Sequence, residues 1–217
     1  NFKIDHFVFG AKTLNEGSKV IKNILNEDLS EINAHETMGT HNRVISLGSC
    51  YIEVISIDPK NQNANNNTWF NLSDENYREN FLRIPKLISF VISSQELNSS
   101  IFFEKEFLVS RNKYKWFFRK PNFNYLKKNN FRNINLFPSL INWKTISPLD
   151  EMKKSSFIFE SLEIMLNKNH KLLHDFLLSL NLKEKLIFNF NDSLNDDLLT
   201  LKLTLRSLIE DKLILIS

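Results

Sequence analysis

A chain of 217 residues with 42% hydrophobic content can bury one sizeable core or two closely fused small ones, which excludes a disordered polymer. Its net charge of +3 is too small to dictate a polyanionic partner, and no apolar run approaches the roughly 20 residues of a membrane span. The start Asn1-Phe2-Lys3-Ile4-Asp5 lacks the apolar core of a signal peptide and the single cysteine, Cys50, sits in an apolar run, so the expectation is a soluble, cytoplasmic protein without disulfides.

In chain order, Phe2 to Phe9 is dense in β-branched and aromatic residues and stops at Gly10, which predicts a strand. Thr13 followed three places later by Glu16 is a capping-box signature, and Leu14, Val20, Ile21, Ile24 and Leu25 recur at helical spacing, so a helix should run to Asn26. A weak strand near 30–34, then strands over 42–47 and 50–57 joined through Gly48-Ser49, complete a β-α-β-β-β order. All four glycines fall by position 48, so later turns must rest on Asn, Asp, Ser and Pro.

Residues 61–67 read as a polar low-complexity loop separating two units. Beyond it, 87–92 reads as a strand, 94–103 as a helix capped by Ser94, and 107–110, 113–119 and 136–143 as strands. Between the last two, 121–135 reads as an irregular loop over a cleft mouth. After Pro148 the same order returns: strand 157–166, helix 169–180, then strands over 185–191, 199–206 and 212–216. His170 and His174 lie four apart on that helix, where a solvated face explains them better than a metal. The domain reading is therefore a first β-α-β-β-β module at 2–59, a polar connector at 60–85, a second module at 86–145, and a third, similar unit at 155–217 packed on the first two.

Charge is unevenly spread. The 107–149 segment holds no Asp or Glu but carries Arg111, Lys113, Lys115, Arg119, Lys120, Lys127, Lys128, Arg132 and Lys144, a local field able to draw anionic ligands. Interleaved aromatics invite an RNA or single-stranded DNA reading. Strand alternation, however, sends Tyr114, Trp116 and Phe118 to one face and Lys113, Lys115 and Arg119 to the other, so nucleic acid is the weaker alternative to an aromatic core beside solvated lysines. No dinucleotide, P-loop or nucleophile-elbow fingerprint occurs, which leaves hydride transfer, NTP hydrolysis and serine-esterase chemistry without support.

The candidate polar site comes from the first module. Alternation along the first strand places Ile4, His6 and Val8 on one face and Asp5, Phe7 and Phe9 on the other, while Tyr51, Glu53 and Ile55 share a face of the 50–57 strand. A buried carboxylate is costly unless paired, so His6 is a natural partner for Glu53. The pair serves either as a metal-free salt bridge or as general base and orienter, desolvation lifting the carboxyl into a useful range. Only one of His41 and Asn42 can face the cleft, and Asn42 is as readily structural as functional. His35, in a polar approach loop, has a lesser claim.

Five blocks then carry a family resemblance: Asp5-His6-Phe7-Val8-Phe9; Met38-Gly39-Thr40-His41-Asn42-Arg43 with Leu47-Gly48; Tyr51-Ile52-Glu53-Val54-Ile55-Ser56-Ile57-Asp58-Pro59; Trp116; and Phe137-Pro138-Ser139-Leu140-Ile141-Asn142-Trp143. Together they resemble the glyoxalase-like domain family of the vicinal-oxygen-chelate superfamily, over roughly residues 2 to 180 in element order. The resemblance implies an α+β fold in which tandem β-α-β-β-β modules curl mixed sheets around a cleft, with helices outside. In metal-using members a His on the first strand and a Glu on the fourth strand of each module supply ligands. His6 and Glu53 match those positions in the first module, whereas 87–92 offers no His and 136–143 no Glu. A divalent metal ion is then a candidate cofactor held by His6 and Glu53 and completed by water, Asn142 or His41, Asn142 standing where the family prefers Asp. Asn42, Tyr51, Trp116, Asn142 and Trp143 complete the expected ligand cleft. The expected function is binding of a small oxygenated, anionic metabolite, with isomerase- or lyase-type proton transfer by Glu53 and His6. The alternative is a non-catalytic small-molecule-binding protein of the same fold. A homodimer is also implied by the resemblance.

Overall fold

The computed structural model describes residues 2–35, 38–60, 68–95, 100–131, 133–194 and 200–217, so the 61–67 loop, Arg132, Leu199 and the centre of the 94–103 helix lie outside the described residues. Strand β1 runs Phe2–Gly10 and helix α1 Leu14–Leu25. The capping box forms as its spacing predicts, with Thr13 Oγ1 accepting from the Glu16 amide and the Glu16 side chain accepting from the Thr13 amide. Asn26, at φ 53°, ends the helix in the left-handed conformation that Asn tolerates. Gly17 is required by packing, because a Cβ there would lie 2.7 Å from Val54 Cγ1.

Strands β2 (Asn33–His35), β3 (Thr40–Ser46) and β4 (Tyr51–Ile57) form an antiparallel meander that turns at Gly48, φ 82°, and closes by pairing β4 parallel to β1. The wiring then repeats. Strands β5 (Lys86–Ser94), β6 (Phe107–Arg111), β7 (Tyr114–Arg119) and β8 (Ser139–Trp143) form a second meander, with β8 parallel to β5. Antiparallel pairing of β1 with β5 joins the halves into an eight-stranded mixed sheet, in the order β2-β3-β4-β1-β5-β8-β7-β6. The sheet curves until it nearly closes on itself.

One irregularity governs which side chains point inward. The β1–β5 register slips between Ile4 and His6, leaving Asp5 as the extra residue of a β-bulge. Simple alternation would keep Ile4 with His6 and Val8. Instead Ile4 joins Phe7 and Phe9 in the core under α1 and the carboxy-terminal unit, Val8 packs into the concave cluster, and Asp5 turns to the side of His6, the two side chains meeting at 2.7 Å.

Two expectations for the second half are corrected. The described parts of 94–103 are not helical: Ser94 ends β5, and 100–103 form a turn and an isolated bridge. The 121–135 stretch is no irregular loop over the mouth, because it contains helix α2 (Phe123–Lys128), started by Asn122 Oδ1 accepting from the Tyr125 amide at 3.1 Å. Its Leu126 and the following Phe131 are fully buried in the larger core cluster with Phe137.

The carboxy-terminal unit keeps the order β9 (Phe157–Leu166), α3 (Lys171–Ser179), β10 (Leu186–Phe190), β11 (Leu201–Ser207) and β12 (Leu213–Ile216). Its strand order is β10-β9-β11-β12, so its first strand is parallel to its second rather than to its last. It packs on the convex side, where Phe159 stacks on Phe7 at 5.2 Å between ring centroids and Glu184 accepts the Ile4 amide. His170 belongs to this buried layer, not to a solvated face: its Nδ1 lies 2.6 Å from Asn167 Oδ1 and its ring meets Phe131 edge-on. Cys50 is buried and free, with its thiol pKa pushed up by burial.

Candidate functional site

The concave face encloses a cavity of about 520 Å³. Strand alternation delivers its polar wall, with His6 from β1, Tyr51 and Glu53 from β4, Asn42 from β3 and His35 from the end of β2. Asp5 Oδ1 accepts from His6 Nδ1 at 2.7 Å, and Asp5 Oδ2 accepts from Trp143 Nε1 at 2.8 Å. That fixes the imidazole with Nε2 turned to Glu53, whose Oε2 lies 3.5 Å away. Asn42 Nδ2 donates a short hydrogen bond to Glu53 Oε1. The Asn42 amide is thereby oriented; Asn42 lines the cavity, and its buried Oδ1 has no partner among the described residues. Tyr51 stacks on His6 with centroids 4.7 Å apart and the planes 19° from parallel. Burial, then the charges of Asp5 and Glu53, push the Tyr51 hydroxyl well above its ordinary value, so it stays a donor.

Because the two halves share one wiring, register assigns equivalent positions. His6 pairs with Tyr51 and Val91 with Ser139, so Val91 stands where His6 does, and Ile141, two residues beyond Ser139, stands where Glu53 does. By the same steps Trp116 corresponds to Asn42, Phe118 to Val44, Trp143 to Ile55, and Arg111 to His35. The second half thus contributes an aromatic wall and one cation. The equivalent pair meets across the seam of the curved sheet, with Arg111 Nη1 donating to His35 Nε2 at 2.5 Å. That assigns the neutral tautomer of His35, whose Nδ1–H then donates to Thr40 Oγ1 at 3.0 Å. The His35 pKa is lowered to about 4, chiefly by burial, with the Arg111 charge adding to the effect against Glu53.

Arg111 makes no carboxylate ion pair among the described residues. Trp69 completes the cavity roof, its ring edge-on to Phe118 at 4.6 Å. The connector to the carboxy-terminal unit crosses the mouth through Pro148, Glu151 and Met152. Glu151 accepts from Lys113 Nζ and from Tyr114 Oη, both at 2.5 Å.

The cavity therefore gathers His6, Glu53, Asn42, Tyr51, Trp116 and Trp143, as expected from the sequence, and omits His41 and Asn142. His41 points through the other face of β3, with its Nε2 2.8 Å from Ser56 Oγ and its Nδ1 3.9 Å from Asp58. It follows Thr40 by one residue and precedes Asn42 by one, so alternation that admits Asn42 excludes it. Asn142 likewise alternates away from Ile141 and donates to the Gln95 carbonyl at 2.5 Å. His35, given a lesser claim from the sequence, lines the cavity from the end of β2, and Arg111 and Trp69 are the residues that pattern reading passed over. Arg111 was visible as part of the acid-free segment, but only register shows that it enters the cavity.

The donor set does not fit a resident divalent ion. One Glu53 oxygen takes the Asn42 amide, the Nε2 by which His35 would ligate takes the Arg111 guanidinium, and His41 is on the far side. Among the described residues no group of three or more His, Cys, Asp or Glu is arranged to hold a metal ion. The acid-free segment also resolves: Trp116 and Phe118 are buried in the concave cluster while Lys113 stays exposed, so these aromatics offer no open stacking platform for nucleic acid.

The glyoxalase-like domain family matches residues 4–101, the stretch that supplies the whole polar wall. That segment, a little under half of the chain, is similar to a glyoxalase-like domain. A structure of a hypothetical protein from Staphylococcus aureus superposes with a TM-score of 0.60 at 14% identity, covering 88% of this chain and 87% of that one, so the architecture extends well past the matched segment. A hypothetical protein from Bacillus halodurans gives 0.42 at 10% identity, over 68% and 98% of the two chains. A Streptomyces coelicolor methylmalonyl-CoA epimerase variant in complex with 2-nitronate-propionyl-CoA gives 0.41 at 9% identity, over 66% and 96%. No curated protein matches the chain. The duplicated, curved mixed sheet has the vicinal-oxygen-chelate fold. Among the described residues no helix is long and apolar enough to cross a membrane.

Proposed function

We propose that the glyoxalase-like cavity binds a small oxygenated carboxylate and moves a proton on the carbon beside its carbonyl or hydroxyl group. The observation that carries this reading is the hydrogen-bonded relay Trp143–Asp5–His6, which holds His6 Nε2 3.5 Å from the Glu53 carboxylate inside an aromatic-walled cavity opposite the Arg111 cation. Arg111 is suited to hold the ligand's carboxylate, since a guanidinium keeps donors to spare after one bond to His35. Asn42 Oδ1 is an acceptor suited to a ligand hydroxyl. Glu53 Oε2 is the base, and His6, held by Asp5, receives or returns the proton through Nε2. The positive charge that steadies the resulting enolate comes from Arg111, so the scheme runs through this chain's own residues.

The test is hydrogen–deuterium exchange in D2O, at C3 of a panel of small 2-oxo carboxylates and at C2 of their 2-hydroxy counterparts, followed by proton NMR. The expected result is exchange of at least one member, slowed by about 10² to 10⁴ in Glu53→Gln. Exchange that proceeds unchanged in Glu53→Gln overturns the reading. A second reading, binding without turnover, is favoured by Val91 and Ile141 standing where a second His and Glu would be. It predicts saturable binding of a panel member, weakened in Arg111→Met, with no exchange at any pH. The possible pairing of two chains through these sheets belongs to the same proposal and is read by sedimentation.

A further inference from the structure

The concave face holds a second chamber. A short turn at 68–73 crosses that face, and Trp69 and Phe118 form a partition with the main cavity on one side and a chamber of about 180 Å³ on the other. The partition is conformationally strained: Phe70 and Asn71 stand at φ 53° and 62°, a region a bulky aromatic residue rarely enters. Asn135 Nδ2 holds it in place, donating to the Phe70 carbonyl at 2.9 Å and to Tyr77 Oη at 2.7 Å.

Hydrogen-bond donors and aromatic side chains line this chamber together. Ser89 Oγ on β5 and Thr68 Oγ1 belong to residues only 1% and 5% exposed, and neither atom has a partner among the described residues. A buried hydroxyl left unpaired is destabilising, so two lining one chamber call for an acceptor inside it. Lys120 lines the same chamber, its ammonium 5.4 Å from the Trp69 ring centroid, and burial pulls its pKa down. Phe137 and Phe123 supply apolar surface, while Glu104, the carboxylate lining the chamber, is exposed. Two hydroxyls and an ammonium favour an oxyanion, and the aromatic walls favour an apolar body attached to it. A cavity on the order of 150 Å³ accommodates benzene, which sets the size of that body.

We propose that this chamber is a second binding site, for a compact monocarboxylate with an apolar body of about benzene size, whose carboxylate takes Ser89, Thr68 and Lys120. The site is separate from Glu53 and does not depend on the chemistry proposed there. Benzoate is the probe, with benzyl alcohol as its uncharged counterpart, and the readout is the Trp69 indole N–H resonance. The titration is done in the Arg111→Met protein, where the cation of the main cavity is gone.

The expected result is saturable binding of benzoate in that background, weakened about tenfold or more by Lys120→Met and by the near-isosteric Thr68→Val, with benzyl alcohol at least about tenfold weaker than benzoate. Each added variant is first shown to unfold cooperatively in urea, and Ser89→Ala replaces any that does not. Absence of saturation, binding that survives the added variants, or equal affinity for the alcohol each overturns the proposal. Benzoate binding that is present in the unsubstituted protein and vanishes with Arg111→Met alone also overturns it, by placing the ligand in the main cavity.

Discussion

The two halves of the eight-stranded sheet share a backbone wiring and divide the chemistry between them. Where β1–β4 present His6, Glu53, Asn42 and His35, the equivalent positions of β5–β8 hold Val91, Ile141, Trp116 and Arg111. A duplicated fold therefore makes a two-walled cavity without making a symmetric site. The polar half also depends on the other for support: the Asp5 carboxylate that orients His6 is itself held by Trp143, which comes from β8. Both oxygens of Asp5 meet a donor, and Glu53 has Asn42 on one oxygen and His6 3.5 Å from the other, whereas Trp116 and Val91 stand in the equivalent places around Ile141.

The sharpest way to break this asymmetry is to put a carboxylate where the second half has none. Ile141→Glu adds a charge to a position 2% exposed in the concave cluster, with no equivalent of Asn42 or His6 beside it. It is expected to lower unfolding stability by about 3–5 kcal/mol at neutral pH, read from the urea midpoint, and by less at pH 4, where the acid protonates. A loss below 1 kcal/mol at neutral pH would show that the second half can carry charge as the first does, and the division between the halves would be void.

The next largest effect belongs to the seam. His35, its side chain 9% exposed, titrates at about 4 in the fold against 6.5 for the free side chain. Between those values the unfolded chain binds the proton and the folded one does not, so stability rises with pH across that window and is lost as pH falls through it. The loss is about 3 kcal/mol once both states are protonated. Urea midpoints at pH 7 and pH 4 should therefore converge in His35→Gln relative to the unsubstituted protein, and an unchanged gap would refute the assignment. Arg111→Met, which removes a neighbouring charge but leaves the burial, should move the His35 titration upward by a smaller amount, followed by its ring-proton shifts in NMR.

Much of the first half was legible because its signals are local. The Thr13/Glu16 box, the turn at Gly48 and the alternation of Tyr51, Glu53 and Ile55 each act within a few residues, and each is realised in the fold. What failed to show was set by longer-range or subtler physics. The bulge at Asp5 adds one residue to a strand that still alternates on either side, so Ile4 was assigned to the wrong face and Asp5 to the face away from His6. Helix α2 is only six residues long, too short for a periodicity to register, and its Asn122 cap resembles any loop Asn. The contact of Arg111 with His35 joins edge strands 76 residues apart, and only the curvature of the whole sheet creates it. Trp69, just beyond 61–67, carried no periodic signal that placed it over the cavity.

The smallest predicted effect tests the alternation that chose Asn42 over its neighbour. His41 contacts Ser56 on the opposite face of β3 and touches none of the cavity groups. Its replacement by Ala removes one hydrogen bond of about 0.5–1.5 kcal/mol and leaves ligand affinity and carbon-bound proton exchange as they were. Asn42→Ala, one residue along the strand, deprives Glu53 Oε1 of its donor and removes the cavity-facing amide oxygen, so it should weaken binding of a hydroxy acid by about tenfold. The pair of variants is decisive because they differ by a single step along one strand. If His41→Ala depresses binding or exchange as much as Asn42→Ala does, the two side chains act on the same space, and the inward face of β3 has been misassigned.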